Sequence, residues 1–279
     1  MQPKHFLAYS PHGFHHIVYT EWGDPQNPRV VLCVHGLTRN GRDFDDLARA
    51  LEKDYRVICP DIIGRGHSDW LDVKSDYGYP LYVSQMAALI AHVGAESVDW
   101  VGTSMGALIG MFIASLPKNP IRRMVINDIG PLIPKASLER IGLFVGKDPA
   151  FDDIDALEAY IRKVAAPFGP LTDAQWRHLA NHGYYRDADG KYRLAYDPSI
   201  GEPFRTPQND VDLWPMWNAV CCPVLVIRGA DSDLLLADTA ARMAQRPSTE
   251  TIEFAGVGHA PMLMDPKQIK PVRDFLLAA

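Results

Sequence analysis

The sequence predicts an α/β fold in which a mostly parallel central sheet is covered by helices on both faces. Two observations carry this. Short β-branched runs alternate with helical patterns along the chain, at a spacing of about 20–40 residues per strand, the mark of βα units. From Asp128 to Val224, roughly a hundred residues pass without a clear buried strand, a length that reads as an inserted subdomain rather than a loop. The chain is long enough for both, with 279 residues, 47% of them hydrophobic and 22% charged. Those proportions are near the globular average and leave little room for disorder or coiled coil.

Taken in order, residues 14–21 read as an N-terminal strand able to pair antiparallel. Val30–Val34 is the first fully apolar β-branched run, followed by a helical pattern over 42–52 and a strand at 55–59. A helix at 81–92, a strand at 98–101, a helix at 105–116 and a strand at 123–127 continue the alternation. After the irregular interval come a strand at 224–228, a helix at 237–245, a strand at 251–254 and the helix Pro266–Leu277. The expected division is therefore a core of residues 1–130 and 218–279 with an inserted cap at 131–217. Within the insertion, Ile154–Val164 and 172–181 are amphipathic. An Asp189-Gly190 turn between Tyr184–Arg186 and 192–196 signals a hairpin. An insertion that leaves the carboxyl end of a parallel sheet lies where α/β proteins bind ligands.

Charge and cysteine usage narrow the class. With 28 Lys and Arg against 34 Asp and Glu the net charge is −6, and no basic run argues for nucleic acid or an anionic membrane as partner. The longest apolar stretch, 106–116, is too short to span a bilayer. The first twenty residues carry four histidines and no continuous apolar segment of the kind a signal peptide needs. Cys33 and Cys59 lie in strand runs, where cysteine is a small buried hydrophobe. Cys221 and Cys222 are adjacent, a spacing that suits neither zinc nor an ordinary disulfide. Reduced thiols in a cytoplasmic protein are expected.

The strongest chemical signal is Gly102-Thr103-Ser104-Met105-Gly106, a G-x-S-x-G that follows one strand and opens a helix. A sharp strand-to-helix turn lifts the Ser104 hydroxyl above the sheet, and the glycines let neighbouring backbone come close. A serine hydroxyl needs a base. His259 follows the last strand in the glycine-flanked loop Ala255-Gly256-Val257-Gly258-His259 and is the expected base. The carboxylate that orients it should come from a strand end. Asp231 and Asp233 follow the strand at 224–228, and Asp128 follows the strand at 123–127. Asp233 ranks first, ahead of Asp231 and Asp128.

With these residues in view, the chain resembles the α/β-hydrolase superfamily, in its serine-nucleophile, cap-containing subgroup. The order Ser104, Asp233, His259 is that family's nucleophile–acid–base order, and the run Arg228-Gly229-Ala230-Asp231-Ser232-Asp233 suits a subgroup pattern that favours Asp233. His35-Gly36 resembles the family's HG oxyanion motif, Gly64-Arg65-Gly66-His67-Ser68 its G-x-G-x-S loop, and Gly258-His259 its late GH pair. The resemblance implies an oxyanion hole made of the backbone N–H groups of Leu37 and Met105. Each such donor is worth on the order of 3 kcal/mol to the transition state.

Other signals are discounted. His12, His15 and His16 lack a carboxylate or cysteine partner in the sequence nearby. His178 and His182 have an i, i+4 spacing but not the glutamate of a zinc-protease motif, and an exposed helix face is expected. Asp187 and Asp189-Gly190 are too few for a calcium loop. Gly106 and Gly110 point to close helix–sheet packing. Phe168, Trp176, Tyr184, Tyr185, Trp214 and Trp217 form either a substrate-facing wall or the core of the cap.

The expected function is a cofactor-free, metal-free serine hydrolase, carboxylesterase-like, acting on a small and mostly apolar ester. A serine at the elbow disfavours the aspartate-nucleophile relatives. The alternatives are a C–C bond hydrolase of meta-cleavage products, which needs a basic residue such as Arg140, Arg162 or Arg186 turned inward, and a slow or non-catalytic ligand receptor. The sequence is silent on oligomeric state.

Overall fold

The computed structural model describes residues 1–206 and 208–278. Strands β1 (Gln2–Ser10) and β2 (Gly13–Trp22) form an antiparallel hairpin, and β2 pairs antiparallel with β4 (Arg56–Pro60). From there the sheet is parallel, through β3 (Val30–Val34), β5 (Val98–Thr103), β6 (Ile121–Asn127), β11 (Val224–Gly229) and β12 (Thr249–Phe254). The order across the eight strands is β1-β2-β4-β3-β5-β6-β11-β12.

The continuous apolar run of β3 is explained by two buried faces. Val30, Leu32 and Val34 point into one core with α2 (Tyr79–His92) and α3 (Met105–Ala114). Val31 and Cys33 point into the other, against α1 (Asp45–Leu51) and α9 (Pro266–Leu277). Side chains alternate across a strand, so a strand buried on both faces cannot show polar alternation. β1 shows the opposite case. Phe6, Ala8 and Ser10 are buried while Leu7 and Tyr9 face solvent, as befits an edge strand. The helical pattern at 42–52 opens as a single 3-10 turn, Gly41–Phe44, capped by the Asn40 side chain before α1 begins.

Between β6 and β11 the chain leaves the carboxyl end of the sheet. It forms β7 (Leu132–Ile133), α4 (Lys135–Gly142), α5 (Ile154–Val164), α6 (Asp173–His182), the hairpin β8 (Tyr184–Arg186) and β9 (Tyr192–Leu194), and β10 (Val211–Asp212) beside β7. Thr172 and Gln175 close a capping box on α6, and Asp153 caps α5. Leu157 and Ile161 of α5 and Trp176 and Leu179 of α6 make a small core of their own, completed by Met262 and Met264 from the loop after β12. The excursion ends in α7 (Trp214–Ala219), and α8 (Ala237–Met243) follows β11. Trp214 and Trp217 are buried in the main core. They therefore belong neither to a separate cap core nor to a substrate wall.

The excursion is pinned to the segment after β4 by polar contacts. Gly66 N–H donates to the Ala195 carbonyl at 2.8 Å and Asp197 N–H to the Gly64 carbonyl at 2.8 Å. The buried Asp197 carboxylate accepts from Lys74 Nζ at 2.6 Å and Tyr77 Oη at 2.8 Å. Among the described residues, no helix is long and apolar enough to cross a membrane.

Candidate active site

Ser104 sits between β5 and α3 with φ 51° and ψ −116°, a conformation a residue with a side chain adopts only under constraint. The constraint is visible. Ser104 N–H donates to the Asn127 carbonyl at 3.0 Å, and the Ser104 carbonyl accepts from Ala107 and Leu108 at 2.9 and 3.0 Å. A Cβ at Gly106 would run into the Val34 carbonyl, and one at Gly102 into Ala107. The two glycines let α3 start hard against β3 and β5, which holds the Ser104 hydroxyl up at the end of the sheet.

His259 reaches this hydroxyl from the loop after β12, with Nε2 3.0 Å from Ser104 Oγ. Its Nδ1 lies 2.8 Å from Oδ2 of Asp128, which is wholly buried at the end of β6. A proton on Nδ1 serves that carboxylate and leaves Nε2 free to accept from serine. Asp128 is tightly held. Its Oδ1 accepts from Gly229 N–H at 2.8 Å and its Oδ2 also accepts from Ser232 Oγ at 2.6 Å. Ser232 Oγ in turn accepts from the amides of Leu234 and Leu235 at 3.2 and 3.1 Å.

The acid position thus differs from the first-ranked expectation. Asp233 does not meet His259. Its half-exposed carboxylate is taken by the Arg140 guanidinium of α4, through Nε and, at 2.8 Å, Nη2, and its carbonyl accepts from Ser137 Oγ at 2.6 Å. Asp231 is exposed and contributes its backbone N–H to the Val257 carbonyl. The R-G-x-x-S-D run still matters through its serine, because Ser232 is the residue that grips Asp128. Neither Ser232 nor its role was visible in the spacing alone.

Across from the elbow, the buried His35 fixes the loop that carries Leu37. Its Nε2 accepts from Ile62 N–H at 2.9 Å, so Nδ1 carries the proton and donates to the Gly36 carbonyl at 2.7 Å. Burial drives its pKa down to about 3, which keeps the ring neutral and this pattern intact. The Gly36–Leu37 peptide is therefore polarised at its oxygen, which strengthens the Leu37 N–H as a donor. Gly36 lies beside Ser104, where an added Cβ would stand 3.8 Å from the serine Cβ. Among the described residues, the amides of Leu37 and Met105 have no partner within the chain.

Ser104 and His259 open into a cavity of about 200 Å³ between the sheet and the excursion. Leu108 and Ile129 line it from the core, and Ile133, Ile141, Val164 and Phe168 from the excursion. Of the six aromatic residues singled out in the sequence, only Phe168 lines it. The charged groups at its wall are paired, Arg39 with Asp43 and Arg140 with Asp233, which lies outside the lining. Arg162 instead pairs with Glu158 and Asp173, and Arg186 lies over the Tyr192 ring, both away from the cavity.

The discounted histidines also find places. His178 and His182 are half-buried against the 3-10 turn and stand with the buried Asp45 in a group whose atoms could hold a metal ion. Arg42 already fills that position. Its guanidinium is bidentate on Asp45, and its carbonyl lies 2.9 Å from His178 Nε2. Desolvation and the Arg42 charge lower the His182 pKa to about 4. His12 and His16 do meet carboxylates, Asp76 and Asp69, as surface pairs.

Known proteins share this fold. The model of the alpha/beta hydrolase family matches residues 31–270. The chain is 47% identical to a 3-hydroxybutyrate-oligomer hydrolase of Cupriavidus necator, over 97% of this chain and 96% of that one. It is 28% identical to a 2-(acetamidomethylene)succinate hydrolase of Mesorhizobium japonicum, over 88% and 87%. A crystal structure of a candidate hydrolase from Rickettsia typhi superimposes with a TM-score of 0.93 at 34% identity, covering 99% of each chain.

Proposed function

The chain belongs to the alpha/beta hydrolase family, and we propose that it is a serine esterase that cleaves short oligoesters of hydroxy acids through an acyl-enzyme. The observation that carries this reading is the unbroken hydrogen-bonded chain from Ser104 Oγ through His259 to the buried Asp128. The kinship with a 3-hydroxybutyrate-oligomer hydrolase supports the substrate class. So does a compact, mostly apolar cavity whose charged groups are paired, which accommodates methyl-bearing units better than long chains.

In this mechanism Ser104 Oγ attacks the ester carbonyl while His259 Nε2 takes its proton. Asp128 holds the imidazole and stabilises the imidazolium, staying ionised itself. The negative charge that develops on the carbonyl oxygen falls between the amides of Leu37 and Met105. Collapse expels the hydroxyl end of the next unit, which leaves with the proton from His259. Water, activated by the same histidine, then releases the acyl group and restores Ser104. Side chains, backbone amides and water suffice for every step. The segment 131–217 serves as the cap that roofs the pocket.

The test is Ser104→Ala, assayed on linear 3-hydroxybutyrate dimer and on p-nitrophenyl acetate. Activity is expected to fall by about 10⁴-fold or more with an unchanged melting temperature. Turnover by a folded Ser104→Ala protein at close to the parent rate would end this reading.

A further inference from the structure

Arg65 is the one arginine whose side chain is wholly buried while forming no ion pair with a carboxylate among the described residues. Taking a guanidinium out of water without a counter-ion is costly unless its donors are satisfied. Here each of its three nitrogens meets a particular group. Nε donates to the Leu37 carbonyl at 2.9 Å, and Nη1 to the Ile63 carbonyl at 2.8 Å and to Tyr82 Oη at 3.0 Å. Nη2 meets the Met105 sulfur at 3.6 Å, and the Tyr82 ring lies under the cation at 4.9 Å. The two residues whose amides are the candidate oxyanion donors are thus both gripped by one side chain, Leu37 through its carbonyl and Met105 through its thioether.

We propose that Arg65 is a positioning residue of the oxyanion hole: its buried guanidinium ties the Leu37 loop to the start of α3, fixes the two amides relative to Ser104, and supplies positive potential where the transition state gains negative charge. This rests on the catalytic reading of Ser104 given above. Two features fit the role. A guanidinium reaches three directions from one rigid plane, which an ammonium cannot do. The Arg65 backbone is itself clamped, since Arg65 bridges to Tyr196 and Gly66 N–H donates to the Ala195 carbonyl. The hole is therefore set with the excursion seated.

A positioning role in the transition state has a signature that simple structural support lacks. Arg65→Met keeps the volume and removes the charge and donors; Arg65→Lys keeps the charge alone. With p-nitrophenyl acetate, Arg65→Met is expected to lose about 10²-fold in kcat with KM within about twofold of the parent. Affinity for a trifluoromethyl ketone, which forms a tetrahedral oxyanion on serine, should fall in proportion. Arg65→Lys should recover part of both. If Arg65→Met does not fold, the same split is read from folded Arg65→Lys, expected about tenfold below the parent in kcat at unchanged KM. A folded variant with parental kcat, or one that loses kcat while binding the ketone as tightly as the parent, overturns the proposal. Activity surviving in Ser104→Ala would instead overturn the catalytic reading beneath it.

Discussion

Asp128 is held by three donors, Gly229 N–H, Ser232 Oγ and His259, in a site closed to water. Replacing it by Asn offers a donor to Nδ1 and selects the wrong imidazole tautomer, so kcat should fall by about 10⁴-fold. Asp233→Asn should leave kcat within about threefold of the parent, because its surface pair with Arg140 is worth little. Measuring both on one ester distinguishes the two carboxylates; a crippled Asp233→Asn beside a tolerated Asp128→Asn would reverse the assignment. Ser232→Ala removes a hydrogen bond to a buried charge, and about tenfold in kcat should go with it. Ser104 and His259 were legible because each sits in a local pattern, an elbow and a glycine-flanked loop. The carboxylate was not. Two strand ends offered candidates; in the fold Asp128 meets His259, while Asp233 pairs with Arg140, a residue 93 positions away in the chain. No local pattern carries that information.

At the scale of elements, β3, β5 and the start of α3 form the rigid seat of the site. Gly106→Ala drives a methyl into the Val34 carbonyl, and a cost of about 1–3 kcal/mol or more is expected, read as a lower melting temperature. The parallel strands were legible from their apolar runs. The hairpin strand β1 was not, because an edge strand with one wet face alternates polar with apolar and carries histidine besides. The face presented by α6 was also missed, since the partners of His178 and His182 come from the 3-10 turn more than a hundred residues earlier. Two histidines shielded from water, His35 and His182, give the fold a pH dependence. His35 is lowered to about 3 and His182 to about 4 from an ordinary 6.5. The unfolded chain therefore takes up protons below about pH 6.5 that the folded chain refuses, so their contribution is full above that pH and lost as the pH falls toward 4 and then 3. Asp61, whose pKa burial raises, works in the opposite sense. Urea midpoints should decline from about pH 6.5 to 4, and His182→Gln should flatten that decline. An identical slope in the variant would remove His182 from the explanation.

The whole molecule places its site between two layers that fold from different stretches of chain. The strand ends and the loop after β12 supply Ser104, Asp128 and His259; the excursion supplies the apolar roof through Ile133, Ile141, Val164 and Phe168. A roof of that kind buries a compact ligand and excludes a long one. Across a series of p-nitrophenyl esters, kcat/KM should peak at short acyl chains and decline beyond about eight carbons. A steady rise past about ten carbons would mean that the roof stands open. The existence of the excursion was legible from its length, whereas its lining was not, because Trp214 and Trp217 look like pocket aromatics in sequence and turn into the main core in space. The most direct test of the proposed chemistry is to quench the protein in acid during turnover of linear 3-hydroxybutyrate dimer and to map the bound acyl group by peptide mass spectrometry. The expected result is one 3-hydroxybutyryl group, on Ser104 and nowhere else. Sustained turnover with no acyl group on Ser104, or with one on another residue, would contradict it.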